Sequence, residues 1–272
     1  MEPIQLAKNT AYEAGKLLRD SFKQNGNTVS FKKHNEPVSD VDRKSSDLII
    51  KMIQAEFPDH AIISEELEGA DEMEITDQPT WIIDPLDGTT NYLAGIPVFG
   101  ITVAFVVNKE IKIGIIYDPL HDEMFVAQKG KGATLNGKPI HVAKVDFKKG
   151  NVLFAGRGYK QEDKIRHGKI IFAMEKETTY FRRLGCASMM LAFLADTRAD
   201  GVILTGNQPW DIFSGVLIVQ EAGGKVTDYC GKPWTYQSRD LVATNGIIHD
   251  ELTAITKVQH NDQGEYDPDC SP

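Results

Sequence analysis

Basic residues are missing where the chain is most acidic. Between Ala61 and Asn108 there is no lysine or arginine, yet Glu65, Glu66, Glu68, Asp71, Glu72, Glu74, Asp77, Asp84 and Asp87 all fall there. Two carboxylates about 4 Å apart repel by roughly 4 kcal/mol at an effective dielectric near 20. No neighbour in sequence offsets that repulsion. A hard cation would, and carboxylate oxygens with water suit Mg²⁺ or Mn²⁺; the plainer reading is a solvated acidic face.

Other scarcities exclude whole classes of function. The three cysteines, Cys186, Cys230 and Cys270, form neither a metal spacing nor a disulfide framework. The seven histidines include no pair at helical ligand spacing, which argues against a His-rich zinc site. No apolar run is long enough to span a bilayer. The opening Met-Glu-Pro-Ile-Gln lacks the basic and apolar regions of a secretory signal, so cytoplasmic is the default expectation. Net charge is −9, and a basic face for nucleic acid or an anionic membrane is not expected. With 272 residues, 41% hydrophobic and 25% charged, the chain reads as one large globular domain or two intimate ones. It holds no internal repeat and no low-complexity tract.

What is present centres on Trp81-Ile-Ile-Asp-Pro-Leu-Asp-Gly-Thr-Thr-Asn-Tyr92. An apolar lead-in reads as a buried strand. Pro85 then fixes its own φ, lacks an N–H, and is expected to break the strand after an extended Asp84. Asp87-Gly88 is a turn pair, and glycine admits close approach of a ligand to the backbone. Two carboxylates, Asp84 and Asp87, are thereby presented at a strand end beside amides that suit a phosphate.

Along the chain, Ile4 to Phe22 carries apolar residues at helical spacing, and Val29 to Lys32 reads as a short strand. Ser39 with Asp42 resembles a capping box, with a helix running on towards Pro58. Ala61 to Ser64 is a strand entering Glu65-Glu66, and 67–80 a polar acidic loop. Segments 98–107, 111–117, 123–128 and 139–143, separated by turn pairs, predict an antiparallel meander. Lys129-Gly-Lys-Gly132 mimics a phosphate loop but lacks the helix that should follow. Beyond residue 146, strands at 152–155, 179–184, 201–204 and 241–245 alternate with helices at 161–177, 186–197, 210–222 and 247–258. The expected division is an N-terminal α+β unit (1–145), a C-terminal α/β unit (146–258) and a disordered polar tail (259–272).

Trp81 to Asn91 resembles the first signature of the inositol monophosphatase family of Mg²⁺-dependent, lithium-sensitive phosphatases. Trp210-Asp211, with the apolar helix ending Glu221-Ala-Gly-Gly224, resembles its second signature. The resemblance implies a five-layer αβαβα sandwich and a homodimer. Carried over residue by residue, it implies two to three Mg²⁺ ions, with Mn²⁺ as a substitute. Glu65, Asp84 and the Leu86 carbonyl would hold the first, and Asp84, Asp87 and Asp211 the second. Thr89 paired with Asp42 would orient the attacking water. Amides of Gly88 and Thr89 would hold the phosphate, with Gly185 and Ala187 near the substrate. By its spacing alone, in Gln208-Pro209-Trp210-Asp211, Asp211 reads as a helix cap.

The implied reaction is hydrolysis of a small phosphorylated metabolite: inositol monophosphate, or alternatively fructose bisphosphate or a 3′(2′),5′-bisphosphate nucleotide. A non-catalytic acidic binding protein on the same fold is the remaining reading. Inositol-active relatives carry a Glu seven residues before the second-signature Asp. A gapless count back from Asp211 puts Leu204 there, with Thr205 or Asn207 as neighbours able to take over the contact, and Gly185-Cys186-Ala187 replaces a hydroxyl-bearing segment. The departures predict a site that is broad or tuned to another phosphate ester.

Overall fold

The computed structural model describes residues 1–23, 29–32, 37–146, 150–177 and 180–260. The expected tail lies outside the described residues from 261 onwards.

The N-terminal half begins with α1 (Pro3–Ser21), whose proline occupies the first turn, where no N–H is missed. It buries Leu6, Ala7, Ala11, Ala14 and Leu18 on one face. A hairpin of β1 (Val29–Phe31) and β2 (Pro37–Ser39) leads into α2 (Asp40–Glu56). There the capping box is formed by Ser39 and Asp42 as the sequence predicts. Strands β3 (Ala61–Ser64), β4 (Thr80–Asp87), β5 (Gly100–Val107), β6 (Glu110–Asp118), β7 (Glu123–Gln128), β8 (Ala133–Leu135) and β9 (Lys138–Ile140) form one seven-stranded sheet in that order. Only the β3–β4 pair is parallel. A three-residue turn of 3₁₀ helix (Ala70–Glu72) interrupts the acidic loop, and α3 (Thr89–Ala94) follows β4.

In the C-terminal half, β10 (Val152–Arg157), α4 (Gln161–Glu177), β11 (Tyr180–Arg182), α5 (Ala187–Ala195), β12 (Gly201–Thr205), α6 (Pro209–Glu221), β13 (Lys225–Thr227), β14 (Leu241–Thr244) and α7 (His249–His260) build a five-stranded sheet and its helices. The strand order is β11-β10-β12-β14-β13, parallel on the β11 side and antiparallel on the β13 side.

Packing stacks these into five layers. Helices α1 and α2 cover one face of the larger sheet, α5 and α6 lie between the two sheets, and α4 with α7 covers the far face of the smaller one. The middle helices touch apolar surface on both sides, so their polarity cannot be one-sided. Accordingly α6 buries every residue from Ile212 to Val219. It sits so close to β6 that a Cβ on Gly114 would lie 2.7 Å from the Ser214 carbonyl oxygen. The outcome is the five-layer αβαβα sandwich.

Two details differ from the sequence reading. Strands β2, β8 and β13 were not expected: each is three residues long, too short for an alternation to register. Nor does β4 stop at Pro85. It runs on to Asp87 through a β-bulge between Asp84 and Asp87, a place in a ladder where a residue without an N–H is tolerated.

Candidate active site

That bulge builds the centre of the site. The missing Pro85 amide leaves the ladder open, and side chains fill it: the Asp84 amide donates to Thr102 Oγ1 at 3.3 Å, and that hydroxyl donates to the Trp210 carbonyl at 2.7 Å. Asp84 Oδ1 accepts the Leu86 amide at 2.9 Å, an Asx turn that fixes the carboxylate direction. Ser45 of α2 donates to the Pro85 carbonyl at 3.0 Å. Asp87 Oδ2 accepts the Ser188 amide at 2.6 Å and the Cys186 thiol at 3.1 Å, which ties the end of β4 to the start of α5. Gly88 then turns with φ +93°, where a Cβ would come within 3.1 Å of the Val98 carbonyl oxygen.

Thr89 begins α3, but no side chain caps that helix. Its hydroxyl lies between two acceptors instead, Asp42 Oδ1 at 2.9 Å and the Leu86 carbonyl at 3.0 Å. The single proton serves one of them at a time. Asp42 is held by its own helix start, accepting the Ser39 amide at 2.9 Å and the Ser39 hydroxyl. The cap and the Thr89 contact are thus one arrangement, not alternatives. Burial raises the Asp42 pKa, against the lowering effect of these hydrogen bonds.

The remaining carboxylates arrive from two other elements. Glu65 follows β3, its amide bonded to the Ile83 carbonyl of β4 at 3.1 Å. Asp211 is the third residue of α6 and accepts the Gln208 amide at 2.7 Å, a capping contact that leaves the residue lining the same cleft as Glu65, Asp84 and Asp87. Burial lifts the Asp84 pKa far above the carboxylate range, with further upward pushes from Glu65, Asp87 and Asp211. Asp87 is raised as well, again chiefly by burial. Acids that shift each other this way lie within electrostatic reach across a shared space.

The stretch without basic residues does have a cation beside it in space. Lys32, just past β1, places Nζ 2.9 Å from Glu65 Oε1 and 2.6 Å from Glu66 Oε1. Burial opposes the Lys32 charge, but the two glutamates outweigh it and raise its pKa. Glu66 is lifted to about 7 by burial and by Glu65. Among the described residues no three His, Cys, Asp or Glu side chains are already closed into a metal cage. The donor set nevertheless fits a hard divalent cation: four carboxylates and the Leu86 carbonyl, all oxygen, line one cleft of about 610 Å³, and they repel one another there.

The Inositol monophosphatase family model matches residues 1–261. The chain belongs to the inositol monophosphatase family. It is 35% identical over 264 residues to the Nus factor SuhB of Pasteurella multocida, covering 94% of this chain and 95% of that one. It is 34% identical over 257 residues to the fructose-1,6-bisphosphatase/inositol-1-monophosphatase of Thermotoga maritima, covering 94% and 96%. Among solved structures, the Thermotoga maritima IMPase superposes with a TM-score of 0.87 at 33% identity, covering 96% and 99%. The extragenic suppressor protein suhB of Bartonella henselae does so with 0.85 at 32%, covering 93% and 97%.

Within this inositol monophosphatase fold the position counted back from Asp211 lies outside the cleft. Leu204 is wholly buried in β12, packed towards Gly156 of β10, and does not line the cleft. Thr205 is also buried, its hydroxyl 2.5 Å from Tyr229 Oη. Gly206, Asn207 and Gln208, just beyond it, line the cleft instead. Gly185, exposed with φ +73°, and Ala187 at the start of α5 also line it. Sequence reasoning did not single out Lys32, or the basic residues Arg157, Lys160, Lys164 and Arg183 that also line the cleft. The detectable signal was their position, each at or just past the end of a strand or around a helix start.

Proposed function

We propose that the protein is a metal-dependent phosphate monoester hydrolase acting on a small phosphorylated metabolite. The observation that carries this is the convergence of Glu65, Asp84, Asp87 and Asp211 in one cleft with the Thr89–Asp42 pair at its edge. Glu65, Asp84 and the Leu86 carbonyl would hold one Mg²⁺, and Asp84, Asp87 and Asp211 a second, with Mn²⁺ able to replace it. When bound, the ions offset the dianion charge, polarise the phosphoryl oxygens and acidify water.

The chain's own residues do the rest. The Thr89 hydroxyl, donating to Asp42, keeps its lone pairs for a proton from water and so sets the line of attack. Ser39 fixes Asp42 and hence Thr89. Amides of Gly88 and Thr89 would bind phosphoryl oxygens, and Gly185 and Ala187 bound the space for the alcohol. Asp84, raised in pKa by its surroundings, is readied for a cation in place of a proton.

The test is phosphate release from inositol 1-phosphate, fructose 1,6-bisphosphate and adenosine 3′,5′-bisphosphate, with Mg²⁺ and with a chelator, and with LiCl against KCl at equal ionic strength. Release that needs Mg²⁺ and is inhibited by Li⁺ supports the reading; release indifferent to the chelator refutes it. Relatives bearing the name Nus factor give a second reading, a macromolecular partner beside catalysis. Direct RNA and protein binding by the purified chain tests it against the expectation, from the charge of −9, of no nucleic-acid partner. No helix among the described residues is long and apolar enough to cross a membrane.

A further inference from the structure

A second cavity, of about 340 Å³, lies next to the catalytic cleft, and Asn207 lines both. Four stretches distant in sequence meet in it: residues 73–75 of the acidic loop, Lys109 of the β5–β6 turn, Pro209 and Phe213 of α6, and residues 236–239. Backbone hydrogen bonds pin them together. The Asn108 amide donates to the Asp77 carbonyl at 3.2 Å, which stitches the acidic loop to the β5–β6 turn. The Asn207 amide donates to the Arg239 carbonyl at 3.0 Å. The Ser238 amide donates to the Thr235 carbonyl at 2.9 Å, and the Thr235 amide to the Ser238 hydroxyl at 3.1 Å, closing the turn that carries Tyr236. The hollow is thus preformed, and its volume suits a small ligand.

Its lining selects a chemistry. Phe213 is buried and Tyr236 half-buried, so two aromatic rings meet the space. Lys109 and Arg239 are exposed cations on it. Lys109 Nζ lies 5.8 Å from the centre of the Tyr236 ring and makes no ion pair among the described residues. Arg239 donates one guanidinium nitrogen to Gln208 Oε1, out of five N–H donors that such a group carries. Against these two cations stands one carboxylate, the exposed Glu74, so the lining holds one positive charge in excess. Asn207 is 4% exposed and its Nδ2 has no hydrogen-bond partner. A buried donor left unmet costs free energy, which favours an acceptor in a cavity that it lines. Ring faces with an excess of donors and a single net charge suit a flat aromatic ring bearing one negative charge.

We propose that this second cavity is an effector site for small aromatic monoanions, such as aromatic carboxylates. The ring packs on Tyr236 and Phe213, and its carboxylate lies among the donors of Lys109, Arg239 and Asn207. The coupling to the cleft comes from the partition between the two spaces. The acidic loop lines the catalytic cleft through Gly69, Ala70 and Glu72 and the second cavity through Met73, Glu74 and Ile75, while Asn207 lines both. An occupant that fixes these shared segments changes what the cleft can bind, and substrate in the cleft changes the occupant's affinity in return. The site stands on the cavity alone; its effect on turnover rests on the phosphatase reading above.

The probe is naphthalene-2-carboxylate, titrated into the whole chain without metal and followed by saturation-transfer NMR. Wild type should bind it with a Kd of about 1 mM or tighter, an ordinary efficiency for so small a compound. The neutral naphthalene-2-carboxamide and the non-aromatic cyclohexanecarboxylate should each bind about tenfold more weakly. The Lys109→Gln/Tyr236→Leu double variant should lose about tenfold in affinity for the probe at an unchanged melting temperature. Glu74→Gln removes the one opposing charge and should gain about threefold, which misfolding cannot imitate. With Mg²⁺ and the better hydrolysed of inositol 1-phosphate and fructose 1,6-bisphosphate, saturating probe should move the wild-type KM by about twofold or more and leave that of the double variant unmoved. Equal binding of carboxylate and carboxamide, or variants that bind the probe as wild type does, overturns the site. Binding without a change in KM overturns the effector role. Absence of turnover with Mg²⁺ would instead count against the phosphatase reading, and the titration would still decide the site.

Discussion

Thr89 shows how one side chain's surroundings select its role. It is the first residue of α3, one position past the Gly88 N-cap, and its hydroxyl lies between Asp42 and the Leu86 carbonyl. Thr89→Ala should therefore keep metal binding, seen as a Mg²⁺-induced rise in melting temperature, while kcat falls about 10²–10⁴-fold. An unchanged kcat with a raised KM would assign Thr89 to substrate binding alone. Leu204 makes the complementary point. Its position by count suggested a substrate contact, yet it packs inside the smaller sheet. Leu204→Glu should not gain activity on inositol phosphate. It buries an unpaired carboxylate, and thermal or urea unfolding should show a loss of about 3 kcal/mol or more. A stable variant with improved inositol phosphate turnover would restore the gapless alignment.

Among the elements, the long ones were readable, as were short strands such as β3 and β14, while β2, β8 and β13 were not. α1 and α2 announced themselves through apolar spacing and the Ser39–Asp42 box, and the strands of the meander through turn pairs. What stayed hidden depended on contacts distant in sequence. Lys32 is 33 residues from Glu65, and nothing near either one indicated their ion pair. The basic residues that line the cleft, Arg157, Lys160, Lys164 and Arg183, come from the ends of three elements, and Asn207 follows Gly206, which packs against Asp163 and donates to Asp240. Glu65, Asp84 and Asp87 stood out at strand ends, whereas Asp42 and Asp211, helix caps by spacing alone, entered through the family resemblance; that Glu65, Asp84, Asp87 and Asp211 line one cleft is a property of the fold. The α2 start joins the two levels. Ser39→Ala removes a cap and should cost about 0.5–2 kcal/mol of stability, read by denaturant unfolding. Because Ser39 also fixes Asp42, the same variant should lower kcat in proportion to its effect on Thr89. A stability loss with wild-type kcat would separate the cap from the chemistry.

For the whole molecule, a buried acidic cleft makes stability depend on pH and on cations. Asp84 and Asp87 have folded-state pKa values above the ordinary carboxylate value, and Glu66 rises from 4.5 to about 7. Across that window the folded state holds protons that the unfolded state has lost, so these groups make the metal-free protein less stable as pH rises. On the proposed reading a divalent ion would replace the protons and relieve the repulsion. The rise in melting temperature on adding Mg²⁺ should thus be larger at pH 8 than at pH 5.5, by differential scanning fluorimetry with ionic strength held constant. An equal shift at both pH values would mean that the ion does not compete for these carboxylates. The central claim, that this cleft hydrolyses phosphate esters through cations held by Asp84 and its neighbours, is tested most directly by phosphate release in Mg²⁺ from wild type and Asp84→Asn, each checked for folding by circular dichroism. The account predicts turnover in wild type that a chelator abolishes and Mg²⁺ restores, and none above background in folded Asp84→Asn; turnover by Asp84→Asn near the wild-type rate would contradict it.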